Sequence, residues 1–170
     1  MDITYRITFY TDWHCGSGLA AGADVDALVI KDADGLPFIP GKTMKGLIRE
    51  AAEDLRGFAS EGDVALTKED KYIKTFGYFK DDKAEMTRGL AFFTDAELPK
   101  MERDELVRCN AARHLYRSVA STAIGDKGIA KDHSLRKMEV VVPCELEGRI
   151  INVPDDMNQN DICQQFTFKL

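Results

Sequence analysis

"DVDALVIKDADGLPFIPGKTMKGLIRE", residues 24–50, decides how the chain is read. Two short apolar runs, "ALVI" and "LPFI", flank Asp34-Gly35, a residue pair that readily makes a tight hairpin turn. Asp32 and Asp34 belong to that turn, because short acidic side chains favour turn backbone. The Pro40-Gly41 corner then opens a helix, with Met44, Leu47, Ile48, Ala51, Ala52 and Leu55 recurring on one face. Lys42, Lys45 and Arg49 lie three and four residues apart and share a stripe near its start. Cations at that end oppose the helix dipole. They are either plain solvated residues or a receptor for an anion, phosphate above all, which would also meet free backbone N–H groups.

Working outward, "ITYRITFYTDW" (residues 3–13) alternates about Ile3, Tyr5, Ile7 and Phe9 and predicts a first strand. It runs into "HCGSG", where Gly16, Ser17 and Gly18 form either an ordinary tight turn or a loop that a phosphate approaches closely. Residues 60–89 read as an irregular charged excursion anchored by Phe76 to Phe79, and "GLAFFTDAEL" (89–98) as a second strand. "ERDELVRCNAARHLYRSVAS" (102–121) has helical spacing, with Leu106, Cys109, Ala112, Leu115 and Tyr116 as its inner face. "TAIGDKGIAKDHSLRK" (122–137) is a basic loop or projecting hairpin. "MEVVVPCELEGRIINV" (138–153) is a long strand, bent or at a sheet edge because Pro143 cannot donate a ladder hydrogen bond. The last residues open a helix near Asn160. With its insertions removed, the order β-α-β-β-α is an α+β, ferredoxin-like, RNA-recognition-type fold without its final strand. One domain spans residues 1–170, with insertions at about 57–88 and 103–137.

A chain of 170 residues, 44% hydrophobic, supports one domain with a substantial core. The start is neither a signal nor a transit peptide, and no apolar run is long enough to span a bilayer, so the expected location is cytoplasmic. A net charge of −6 argues against a protein that coats nucleic acid over its whole surface. Yet Arg103–Lys137 carries eight Lys and Arg against four Asp and Glu, so a basic face on an acidic body is expected. Cys15, Cys109, Cys144 and Cys163 are widely scattered and predict reduced, mostly buried thiols. A zinc site would draw on Cys109 and His114 with His14, Cys15 or His133, a spacing looser than zinc clusters show.

Several blocks in this order resemble the repeat-associated mysterious proteins (RAMPs) of CRISPR systems, most closely the backbone subunits of type III RNA-guided effector complexes. "DWHCGSG" (12–18) resembles the glycine loop after the first strand, and "PFIPGKTMKGLIRE" (37–50) the family's most specific stretch. "TFGYF" (75–79) resembles a short Leu-Phe-Gly type motif, and residues 121–143 a thumb-like hairpin. The thumb departs from the family pattern at "IGDKGIA", with Gly125 inserted and Lys127 in place of arginine. The family's closing glycine-rich loop and final strand find no counterpart before Leu170, for which truncation, a split gene product or a strand from a neighbour would account.

The resemblance implies a subunit that grips guide RNA through Lys42, Lys45, Arg49 and the Gly16-Ser17-Gly18 loop, without reading sequence. It places Arg117, Lys127, Lys131, Arg136 and Lys137 on or near the thumb between guide and target strands. In cleaving members a loop aspartate supports cutting of target RNA with Mg²⁺ or another divalent cation, and by motif that residue is Asp26. Asp24 is the competing choice, Asp12 a third, and His14 an alternative acid or base by likeness to members that process guide precursors. The implied partners are guide RNA, complementary target RNA, other effector subunits and further copies of the chain. Trp13 is either a core residue or a stacking surface for a base. Three other readings stay open: a non-catalytic structural RNA-binding subunit, a RAMP-type endoribonuclease that processes guide precursors, and a small metabolic or phosphate-binding α/β protein outside the family.

Overall fold

The computed structural model describes residues 1–22, 25–59, 71–79, 86–125 and 128–155. Strands are β1 (Ile3–Thr8), β2 (Gly77–Phe79), β3 (Met86–Arg88), β4 (Phe92–Phe93), β5 (Tyr116–Ser121), β6 (Arg136–Val141) and β7 (Glu145–Ile151). Helices are α1 (Gly41–Ala59), α2 (Lys71–Phe76) and α3 (Lys100–Arg108), with a 3-10 turn at Ala112–Leu115. The fold is mixed helix and antiparallel sheet: a three-stranded sheet in the order β1-β7-β4 and two ribbons, β2-β3 and β5-β6. Among the described residues no helix is long and apolar enough to cross a membrane. The helix expected near Asn160 lies outside the described residues.

The chain divides into two compact units, the division falling after Tyr5 and after Glu147 within strands β1 and β7. The first holds residues 1–5, 40–96 and 148–170. Its core is Met44, Ile48, Ala51 and Ala52 of α1, with Ile73, Phe76, Phe93 and Ile150. Leu47, expected on the same helix face, is 50% exposed, because the packed stripe is narrower than the apolar pattern.

"TFG" has a structural cause. Thr75 is fully buried and its hydroxyl donates to the Lys71 carbonyl, while Phe76 stacks with Phe93 at 6.1 Å. Gly77 sits at φ +87°, and a Cβ there would lie 2.6 Å from the Thr87 carbonyl oxygen. Gly89 leaves equally little room, 2.5 Å from the Thr75 carbonyl oxygen. The chain therefore passes tightly over the end of α2, where Leu90 and Ala91 N–H groups donate to the Lys74 and Thr75 carbonyls.

The second unit holds residues 6–39 and 97–147. Its core includes Trp13, Val29, Leu36, Leu115, Val140, Val141 and Leu146. The hairpin expected around Asp34-Gly35 closes as an Asp32–Gly35 turn with isolated bridging at Lys31 and Pro37 rather than regular strands. Asp32 Oδ1 accepts the Asp34 and Leu36 N–H groups, and Gly35 takes φ +78°. Arg103 clamps the turn from outside by donating to Asp32 at 2.5 Å and Asp34 at 2.6 Å. This bears out the turn-shaping role read for both aspartates.

Several expected elements are corrected: the strand read over 89–98 is regular only at Phe92–Phe93, and the excursion read as irregular over 60–89 holds α2, β2 and β3. The helix read over 102–121 ends at Arg108: Asn110 takes φ +50°, and from Tyr116 the chain is strand. No residue of α3 is buried, so the expected inner face does not form there. The long strand over 138–153 is two, β6 and β7, separated at Pro143. The projecting hairpin is present: β5 and β6 pair from Tyr116↔Val141 to Ser121↔Arg136, with every β5 residue after Tyr116 exposed.

Candidate nucleic-acid interface

In the first unit Lys42, Lys45, Arg88, Gly89 and the segment Leu90–Phe93 line a groove of about 480 Å³ that begins at Gly41. Gly41 has no room for a side chain, since a Cβ would meet the Phe93 carbonyl, so helix and strand touch backbone to backbone. The first turn of α1 carries no acidic residue. Instead Asp95 accepts the Gly41 N–H at 2.7 Å, supplying from β4's loop the negative charge the helix dipole favours. This takes up one of the backbone donors expected to be free for an anion.

Lys45 is half-buried and its Nζ reaches the Ala91 carbonyl at 3.4 Å. Its pKa is pushed below the ordinary lysine value, first by burial and then by repulsion from Arg49 and Arg88. Lys42 is exposed and has no ion-pair partner among the described residues. Arg49 is paired to Glu53 at 3.0 Å on the solvent side of α1. Arg88 lies at the end of the charged stretch over 60–89, and spacing in the sequence does not single it out. The signal for it was the run "RGLAFF": a strand entering the sheet straight after a cation.

In the second unit β6 organises the predicted residues. Asp26 is exposed. Its N–H donates to the Lys137 carbonyl at 2.8 Å, and its Oδ2 accepts the Lys137 N–H at 2.7 Å. His14 Nδ1 lies 2.7 Å from the Glu139 carbonyl, to which it must donate, leaving Nε2 as the free ring nitrogen. Asp26 and His14 are thus tied to β6 residues two positions apart, whose spacing along the strand is about 7 Å. Glu139, not singled out from sequence, ties the stretch down: it accepts the Val29 N–H and the Lys31 ammonium, whose Nζ lies 4.0 Å from the centre of the Tyr116 ring.

The glycine loop is partly committed internally. Ser17 donates both its N–H and its hydroxyl to the Leu28 carbonyl, while Gly16 bridges Val29. Gly18, at φ +77°, faces open space. Arg117 is paired with Asp12 at 2.6 Å. Lys131, Arg136 and Lys137 are exposed along the hairpin. Trp13 is 8% exposed and stacked on Phe9 at 4.4 Å, which makes it core. Asp24 and Lys127 lie outside the described residues. Among the described residues no three His, Cys, Asp or Glu are grouped as a metal site; Cys109 is exposed, Cys15 and Cys144 half-buried.

The family model for the RAMP superfamily matches residues 6–161. The chain belongs to the RAMP superfamily. Among solved structures, this RAMP chain is similar to one in the cryo-EM structure of the type III-B Cmr-beta bound to cognate target RNA. That match has a TM-score of 0.67 and 12% identity, and covers all of this chain and 88% of the other. The apo-state Cmr-beta structure matches with a TM-score of 0.62 and 14% identity, over 98% and 88%. At such identities the likeness is one of fold. No curated protein matches.

Proposed function

We propose that this RAMP chain is a guide-RNA-binding backbone subunit of a type III CRISPR effector complex in the cytoplasm. The observation that carries the reading is the groove of the first unit, where Lys42, Lys45 and Arg88 converge from two elements. A lysine whose charge is disfavoured by burial and by two arginines gains most from a bound anion, and a phosphate backbone supplies one at every nucleotide. The sheet order β1-β7-β4 supports reading these strands as the first, third and second of a ferredoxin-like core. The β5-β6 hairpin is then the thumb, its Lys131, Arg136 and Lys137 set against guide and target strands. Complementary target RNA and other effector subunits are the partners, as the setting of the similar folds suggests.

For cleavage, Asp26 fits a one-carboxylate site: Oδ2 is held by Lys137, and Oδ1 has no protein partner among the described residues. Mg²⁺, when bound, would be held by Asp26 with water and substrate phosphates and would neutralise phosphate charge. The chain's own part is to hold the RNA unstacked, so that its 2′-hydroxyl stands in line with the bond to be cut. A second reading, a subunit that grips without cutting, is favoured by the same Asp26–Lys137 hydrogen bonds, which give the aspartate a structural task. Asp26→Ala decides between them. Lost target cutting with retained RNA binding supports cleavage at Asp26; no cutting by the wild type supports the grip alone, and unchanged cutting by the variant overturns Asp26 as the residue responsible. Failure of the wild-type chain to bind single-stranded RNA at low salt would overturn both.

A further inference from the structure

Phe92 and Phe93 are adjacent in a strand, so their rings stand on opposite faces of the sheet. Phe93 is buried against Phe76, whereas Phe92 is 63% exposed. The register Phe92↔Ile151 and Phe93↔Ile150, with the Thr94 N–H donating to the Arg149 carbonyl, puts Phe92, Ile151 and Arg149 on one face. Leu90, two residues before Phe92, is 56% exposed. A large aromatic ring thus lies bare on an open sheet face, with exposed Arg149 diagonally across the strand pair. The strand that carries it also forms a wall of the groove holding Lys42, Lys45 and Arg88.

We infer that this face is a base-stacking platform: one unpaired RNA base lies on the Phe92 ring while its phosphate occupies the groove beside Lys42, Lys45 and Arg88. The inference rests on the RNA-binding reading above and adds to it a nucleotide contact that is not electrostatic. Charge complementarity selects the occupant. Three cations border the aromatic surface on one side and Arg149 on the other, a combination that suits a single strand, whose every base offers a face to stack and whose every phosphate offers a charge. The platform makes no hydrogen bonds to base edges, so it takes any base and leaves sequence choice to pairing.

The test compares the wild-type chain, Phe92→Leu and Phe92→Tyr on a single-stranded RNA carrying 2-aminopurine, across a salt titration. Phe92 is exposed, so neither substitution disturbs the core. The expected result is about tenfold weaker binding for Phe92→Leu, an unchanged salt slope, loss of the fluorescence quenching that stacking causes, and rescue of both by Phe92→Tyr. Salt-sensitive binding of Phe92→Leu equal to wild type, with quenching intact, would overturn the platform and leave the RNA reading standing. Unchanged RNA binding with altered self-association in sedimentation would also overturn it, making the face a protein contact. No RNA binding by the wild type would overturn both readings together.

Discussion

Lys45 is where the fold and the proposed function meet. Its Nζ is drawn toward the Ala91 carbonyl, its stem is half-buried, and Arg49 and Arg88 repel its charge. In the free protein the native state releases this proton at lower pH than the unfolded chain. The cost of charging Lys45 is therefore fully present below its folded pKa and relieved as pH rises toward the ordinary 10.5. In the proposed complex RNA would reverse the sign, because a phosphate favours the charged form. Affinity for an oligonucleotide should fall as pH rises through the lowered pKa, before an ordinary lysine titrates, and Lys45→Arg should hold it flat over that range. A DNA oligonucleotide, which resists alkali, serves for the measurement; parallel profiles for the two proteins would contradict the placement of phosphate at Lys45. Lys45 was legible as a candidate site residue because its spacing from Lys42 and Arg49 could be counted. Arg88 and Phe92 were not, because their proximity to it depends on how α2 and the following strand return to α1. The adjacency of two phenylalanines in a strand was still a usable signal, since one of them must face away from the core.

At the scale of elements, the legible parts were those whose signal is local. The alternation of β1, the Asp32–Gly35 turn, the start of α1 at Pro40-Gly41 and the projecting hairpin all follow from spacing or turn chemistry. One misread element, 102–121, has apolar residues at helical intervals, but its end is set by Asn110 in the left-handed region and by β5 finding β6 as partner. Pairing of that kind depends on residues some twenty positions away and overrides local propensity. The return of the chain over α2 depends on glycine. Gly77→Ala places a Cβ against the Thr87 carbonyl at a φ that alanine resists. The expected loss is about 2 kcal/mol or more of stability, seen as a lower urea midpoint, with RNA affinity reduced by the shifted groove wall. A midpoint within experimental error of wild type would show that the close approach at Gly77 does not hold the chain over α2.

For the whole molecule, the net charge of −6 and an RNA-binding role are compatible only if cations are gathered rather than spread. The first unit gathers Lys42, Lys45 and Arg88 in one groove, and the second sets Lys131, Arg136 and Lys137 along one hairpin. Arg117 and Arg49, read from sequence with the rest, are instead tied to Asp12 and Glu53. The most direct measurement of the central claim is the salt dependence of single-stranded RNA binding by the full chain, beside a Lys42→Ala/Lys45→Ala/Arg88→Ala variant. Each phosphate contact contributes about 0.7 to the slope of log K against log salt on a single strand. The account predicts a slope shallower by about 2 in the variant, with much weaker binding at low salt. Equal slopes and equal affinities would mean that the groove does not hold RNA.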